Sequence, residues 1–225
     1  MDAFSLHADG SGKSPDEESI PIIKSEKIRV AGIILAAGRS SRMGRAKQLL
    51  PFKGKTLLDQ VVLNALDSDL DSVLVVLGHG ATAIRKQVNL TLVEVVENSD
   101  YALGQSSSLK KGLAAVMDRC EGAMFLLGDQ PLVGSETIDM LIQAFRGALP
   151  PMLIPFCKGK RGNPVVIHQT LFPLLDTLTG DTGARGLFDL YKEAIMGVDI
   201  EDTGILFDVD TLDDFQKLQN LAGTS

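Results

Sequence analysis

From Ile28 to Leu35 the chain reads IRVAGIIL and then runs straight into Ala36-Ala37-Gly38. A largely apolar, β-branched run without polar alternation is the pattern of a strand buried on both faces, and such a strand needs helices above and below it. That one stretch steers the chain toward an α/β sheet. The loop after it is unusual: Arg39, Arg42, Arg45 and Lys47 put four cations into nine residues, with Ser40, Ser41 and Gly44 among them. Small residues let backbone N–H groups approach a ligand closely and the cations add charge, so the loop reads as a polyphosphate cradle. Its spacing is not that of G-x-G-x-x-G, because Gly38 and Gly44 stand too far apart. Nor is it a P-loop, because Gly44 is followed by Arg45-Ala46-Lys47 rather than by Lys and then Ser or Thr. The competing reading is a basic surface loop, which four cations in an otherwise acidic chain disfavour.

Composition narrows the partners. With 225 residues, 44% of them hydrophobic, the chain can bury a full core, and one globular α/β domain is expected. A net charge of -7 and a pI near 5.0 argue against a nucleic-acid partner. Basic character gathers in the loop, so the expected anion is small. Cys120 and Cys157 lack metal-ligand spacing and the histidines form no H-x-x-x-H pair, which points to reduced, buried thiols. No apolar run reaches membrane-spanning length, and the N-terminus lacks a basic segment followed by an apolar one. A cytoplasmic protein with no membrane partner is the expectation.

Residues 1–27 mix Gly, Ser, Pro and charged residues without periodicity and read as a disordered leader to a domain over residues 28–225. Within the domain, Thr56 is expected to cap a helix carrying Leu57, Leu58, Val61, Val62 and Leu66. Strands are expected at 72–77, 92–96 and 122–127, with a short helix over 81–88. The serine cluster Ser106-Ser107-Ser108 opens another helix, with Leu109, Leu113, Val116 and Met117 on one face, and serves either as capping or as ligand contact. Ser135 is expected to cap a helix with the stripe Ile138, Leu141, Ile142 and Phe145. Strands follow at 152–154 and 165–167, helices at 171–178 and 187–194, a strand at 204–210 and a final helix from Thr211. The order implies a single twisted, mostly parallel sheet.

In an open α/β sheet the ligand crevice lies outside the carboxyl ends of the strands, where Asp129 and Asp210 are both expected. Magnesium is held by one or two carboxylates plus substrate phosphates, which suits a separated aspartate pair. Asp129 also has a reading as a turn former in Gly128-Asp129-Gln130-Pro131. Asp210 has one as part of a helix start, because Thr211 and Asp214 form a capping-box pattern. Asp208 is the reserve candidate.

The stretch Leu35-Ala36-Ala37-Gly38-Arg39-Ser40-Ser41-Arg42-Met43-Gly44-Arg45-Ala46-Lys47 resembles the LAAG-x-S-x-RMG-x-x-K signature of molybdenum cofactor cytidylyltransferases, within the wider MobA-like nucleotidyltransferases. The resemblance continues through Asn98 to Gly104, Gly128 to Pro131, Arg161 to Val165, Gly180 to Arg185 and Asp208 to Thr211. Ser99 and Leu212 stand where prolines are usual. It implies a single-domain, Rossmann-like fold of the glycosyltransferase-A type, magnesium dependence, and transfer of CMP from CTP to the terminal phosphate of molybdopterin or Mo-molybdopterin. By the same resemblance, Leu35, Ala36, Ala37, Gly38, Arg39, Ser40 and Ser41 belong to the nucleotide site, with Ala37 favouring CTP over GTP. Arg42 and Lys47 hold the triphosphate, and Asp129 and Asp210 hold the metal. Gly78, Gly104 and Ser108 line the base and ribose pocket, while Arg161, Asn163, Asp181, Gly183 and Arg185 face the pterin. A molybdoenzyme or its chaperone is the further partner it allows. The alternatives are a nucleotidyltransferase using GTP or another phosphorylated acceptor, and a non-catalytic module that delivers the molybdenum cofactor.

Overall fold

Among the described residues the fold has ten strands and seven α-helices. The strands are β1 (Val30–Ala36), β2 (Pro51–Phe52), β3 (Lys55–Thr56), β4 (Ser72–Leu77), β5 (Glu94–Glu97), β6 (Gly122–Leu127), β7 (Met152–Cys157), β8 (Lys160–Arg161), β9 (Val165–His168) and β10 (Ile195–Asp199). The helices are α1 (Leu57–Leu66), α2 (Ala81–Gln87), α3 (Gln105–Ala114), α4 (Ser135–Ala148), α5 (Phe172–Leu175), α6 (Arg185–Phe188) and α7 (Leu212–Ala222). The computed structural model describes residues 27–40, 43–44, 46–183, 185–188 and 191–222. The expected leader, Lys27 apart, lies outside them. No helix among the described residues is long and apolar enough to cross a membrane.

The main sheet runs β10-β7-β9-β6-β1-β4-β5, with β8 paired to β7 and β2–β3 forming a separate hairpin. Around β1 the pairing is parallel on both sides, to β4 and to β6. β9 runs antiparallel between β6 and β7, so the sheet is mixed. Because β1 is central, alternate residues enter opposite cores. Val30, Ile34 and Ala36 pack with α1 and α4 through Leu58, Val61, Ile138 and Phe145, while Ala31 and Ile33 pack with Leu109 and Leu113 of α3. The apolar run thus forms the doubly covered strand that its pattern required. The protein is a single α/β domain with a mostly parallel twisted sheet.

α1 starts as its sequence dictates: the Thr56 hydroxyl accepts from Asp59 N–H, and the Asp59 carboxylate accepts from Thr56 N–H. Elsewhere tertiary structure overrode the local pattern. Gly134, not Ser135, precedes α4 and no side chain caps it. Leu171–Leu178 shrinks to a 3-10 turn at Gln169–Leu171 followed by α5. Met117 leaves the apolar face of α3 and is 40% exposed in a 3-10 turn. Of the helix expected over 187–194, the described residues show the end of α6 at Phe188 and a 3-10 turn at Lys192–Ala194, and Ile195–Asp199, for which no element was expected, is the edge strand β10. The stretch 204–210 is not a strand: Thr203–Leu206 is a 3-10 turn and the chain to Asp210 is irregular. Ile205 and Val209 are fully buried, and the apolar run Ile205-Leu206-Phe207 imitated a strand.

Candidate active site

At the carboxyl ends of β1 and β6 lies a cleft of about 420 Å³. Leu35, Ala37, Gly38, Arg39, Ser40, Lys47, Gly104, Ser108, Asp129 and Asp181 all line it, so much of the set that the sequence nominated converges on one crevice. The loop after β1 is anchored from beneath. Gln48, 2% exposed, donates its Nε2 to the Ala36 carbonyl, and Ser40 Oγ accepts from Lys47 N–H at 3.1 Å. Ser40 adopts φ 51°, which turns the chain back toward Lys47. Ser41, Arg42 and Arg45 lie outside the described residues.

Gly78 stands behind the loop rather than in the lining. A Cβ there would meet the Cβ atoms of both Ala37 and Tyr101 at 2.8 Å, so a glycine is what allows those two walls to approach. Tyr101 faces the cleft with His79 beside its ring and the Arg39 guanidinium over it, 5.7 Å from the centroid. Gly104, at φ 102°, lies against the carbonyl of Gly180, where a side chain has neither the space nor the conformation. Its neighbour Gln105 donates its N–H to Asp181 Oδ1 at 3.2 Å. Asp181 therefore shares a wall with Gly104 and Ser108 instead of standing apart from them. Gly183 packs against the Gln105 side chain, while the side chain of Arg185 lies outside the description. Arg161 and Asn163 are not in the lining. The Arg161 guanidinium stacks on Phe188 at 4.3 Å, and Asn163 N–H donates to the Ile205 carbonyl. The serine cluster divides its duties. Ser107 donates to the Gly104 carbonyl, both Ser107 and Ser108 take hydrogen bonds from buried Asn98, and Ser108 alone of the three borders the cleft.

The charges meet at Lys47. Its Nζ donates to Asp129 Oδ2 and, at 2.7 Å, to Asp210 Oδ1. Burial alone would lower its pKa, but the charge and hydrogen bond of Asp129, with those of Asp210, outweigh burial and hold it above the ordinary lysine value. Asp210 reaches this point from an irregular segment, not from a strand end, and its side chain is 45% exposed against 16% for Asp129. Asp208 faces elsewhere: it accepts from Gln130 Nε2 at 2.6 Å, and burial, reinforced by the Asp129 charge, pushes its pKa up to about 6. Among the described residues no group of three His, Cys, Asp or Glu side chains could cage a metal. Two carboxylates already gathered around one cation nevertheless fit a hard divalent ion whose remaining ligands are phosphate oxygens and water. Gln48, Gln105 and Tyr101 were not nominated from sequence. Only Tyr101 carried a signal, as an aromatic shortly after a strand's carboxyl end.

The site lies at the carboxyl edge of the sheet and gathers two carboxylates around a lysine beside a loop of small residues. Residues 32–195 match the MobA-like NTP transferase domain. The chain belongs to the MobA-like NTP transferase family. It is thus a nucleotidyltransferase, of the Rossmann-like glycosyltransferase-A type. Its relatives in the family carry different names. It is 32% identical over 196 residues to the nicotine blue oxidoreductase of Paenarthrobacter nicotinovorans, an overlap of 84% of this chain and 96% of that one. It is 30% identical over 187 residues to the molybdenum cofactor cytidylyltransferase of Escherichia coli (strain K12), an overlap of 81% and 92%. Among solved structures, Rv0371c of Mycobacterium tuberculosis H37Rv in complex with manganese superposes with a TM-score of 0.75 at 30% identity, over 85% of this chain and 98% of that one.

Proposed function

We propose that this nucleotidyltransferase moves CMP from CTP to the terminal phosphate of molybdopterin, with magnesium as its metal. The observation that carries the reading is the convergence of Lys47, Asp129 and Asp210 at a cleft walled by the Ala37–Ser40 loop. An oxygen of the acceptor phosphate attacks the α-phosphorus of CTP, the bond to the bridging oxygen of the β-phosphate breaks, and pyrophosphate leaves with that electron pair. The nucleophile belongs to the substrate, so the protein supplies position and charge. Asp129 and Asp210 would hold the metal, which when bound draws charge from the phosphate oxygens and orients them. Lys47 places a cation beside the same carboxylates and stabilises negative charge on the departing pyrophosphate. Ala37 and Gly38 keep the loop low enough for close backbone approach, and Gly78 lets Ala37 and Tyr101 share one wall. Arg42 enters from the sequence motif alone.

The test is pyrophosphate release with CTP, GTP, ATP and UTP, each with and without molybdopterin, in magnesium and in chelator. Release with CTP plus molybdopterin alone, lost in chelator, is expected. Release with GTP instead would make the chain a guanylyltransferase, and tight, metal-independent cofactor binding without turnover would make it a delivery module. The relative named for a nicotine blue oxidoreductase favours one further arm, in which a reduced nicotinamide cofactor with nicotine blue as its electron acceptor replaces the nucleoside triphosphate and molybdopterin. Oxidation of the cofactor there, with no pyrophosphate released in any triphosphate arm, would overturn the proposal.

A further inference from the structure

We infer that Gln130 is a positioning residue that fixes where the two carboxylates stand, by latching the segment that carries Asp210 onto the strand end that carries Asp129. The inference rests on the reading of Asp129 and Asp210 as metal ligands and assigns a role to a residue that reading leaves idle. Gln130 is 3% exposed and adjoins Asp129 in sequence. Its Nε2 donates to Asp208 Oδ1 at 2.6 Å and, at 3.4 Å, to the Ile205 carbonyl. A third bond completes the latch, from Val209 N–H to the Asp129 carbonyl at 3.1 Å. Every one of these bonds joins the stretch 205–209 to Asp129 or Gln130.

The latch matters because that stretch has no strand ladder to hold it. Asp210 lies between Val209, buried against Leu50, Phe52 and Phe215, and Thr211, which begins α7 through its hydrogen bonds with Asp214. The core beneath fixes depth, but an irregular backbone is free to rotate unless polar bonds set its orientation. Gln130 sets it and engages the Asp208 carboxylate at the same time, leaving Asp129 and Asp210 as the two that meet Lys47. The Ile205 carbonyl also accepts from Asn163 N–H at 3.1 Å, so the turn before β9 is tied to the same point.

The experiment titrates the full-length protein with Mn2+ in the absence of nucleotide, reading free Mn2+ by electron paramagnetic resonance. Gln130→Leu is expected to weaken Mn2+ binding by roughly tenfold or more, as loss of a residue that orients a metal ligand does. CTP binding in chelator stays unchanged. The reversed pair Gln130→Glu with Asp208→Asn keeps the shorter hydrogen bond between 130 and 208 and the number of charges, giving up only the longer one to the Ile205 carbonyl, and it restores Mn2+ affinity to within about threefold of wild type. A role in packing alone would not produce that rescue. Where Gln130→Leu fails to fold, Gln130→Asn, one methylene shorter, takes its place. Unchanged Mn2+ affinity in the single variant, or a reversed pair no better than the single variant, overturns the inference. Asp129→Asn separates the two levels. If it binds Mn2+ like wild type, the carboxylate reading and the latch fall together; if it loses Mn2+ while Gln130→Leu keeps it, the latch alone falls.

Discussion

Lys47 shows what a single side chain contributes that its motif does not reveal. The sequence marks it as the last cation of a phosphate loop, but in the structure it neutralises two carboxylates from segments 82 and 163 residues away. Its replacement therefore has opposite consequences for two observables. In Lys47→Met the transfer step is expected to slow by about 10²–10³-fold, the usual cost of losing one charge-stabilising group. Mn2+ affinity without nucleotide is expected to rise severalfold, because Lys47 no longer competes with the metal for the two carboxylates. Single-turnover kinetics and Mn2+ titration read the two effects separately, and a fall in both would mean that Lys47 does not compete with the metal. Gln48 and Gln130 were illegible at this scale for a simple reason. A glutamine looks the same in sequence whether it faces water or holds a buried carbonyl, and only its 2–3% exposure distinguishes the cases.

At the scale of elements, close approach and edge position decided what pattern could not. Helix α3 lies so near the sheet that a Cβ on Gly112 would meet Ile33 Cγ2 at 2.5 Å and Val76 Cγ2 at 2.9 Å. In a free helix Gly→Ala gains about 1 kcal/mol, but overpacking costs about 1–3 kcal/mol. Gly112→Ala is therefore expected to lower the urea midpoint rather than raise it. β1 is tied at its start by Asp71, which accepts from Val30 N–H and pairs with Lys27 and Arg146. Burial by itself would raise the Asp71 carboxyl, yet the Lys27 hydrogen bond, Val30 N–H and Arg146 together hold it below its usual value. A carboxyl depressed in the folded chain contributes stability above its unfolded value of about 3.9 and loses it as the pH falls through the lower folded value. Asp71→Asn should thus cost about 1–3 kcal/mol at neutral pH. The gap to wild type should narrow in acid, which urea unfolding across pH will show. β10 escaped the sequence reading because Met196 to Asp199 is a weakly apolar edge, partly exposed and paired on one side only by β7.

Across the whole molecule, the third apolar cluster couples the C-terminus to the site. Phe215 and Leu218 of α7 pack with Met43, Leu50, Phe52 and Val209, so one small core lies under both the loop after β1 and the Asp210 segment. Leu218 is fully buried, and Leu218→Ala is expected to cost about 2–5 kcal/mol by the cavity it leaves. The cost should fall on the site more than on the sheet. Amide exchange is expected to speed in the stretches 46–52 and 205–215 while the β1, β4 and β6 amides stay protected. Uniform acceleration across the sheet would show that α7 is not a local clamp but part of the global core.

The sequence by itself determined the α/β architecture, the doubly covered β1, the α1 cap and the apolar stripe of α4, because hydrophobic period and capping chemistry act over a few residues. It also marked the Ala37–Lys47 loop and Asp129, which follow the carboxyl ends of the central strands β1 and β6. Tertiary structure alone decided that 204–210 is an irregular loop, that β10 closes the sheet edge, and that Asp181 stands beside Gly104. It alone brought Asp210 to Lys47. Those outcomes depend on hydrogen bonds and burial between segments far apart in the chain, and no local pattern carries that information.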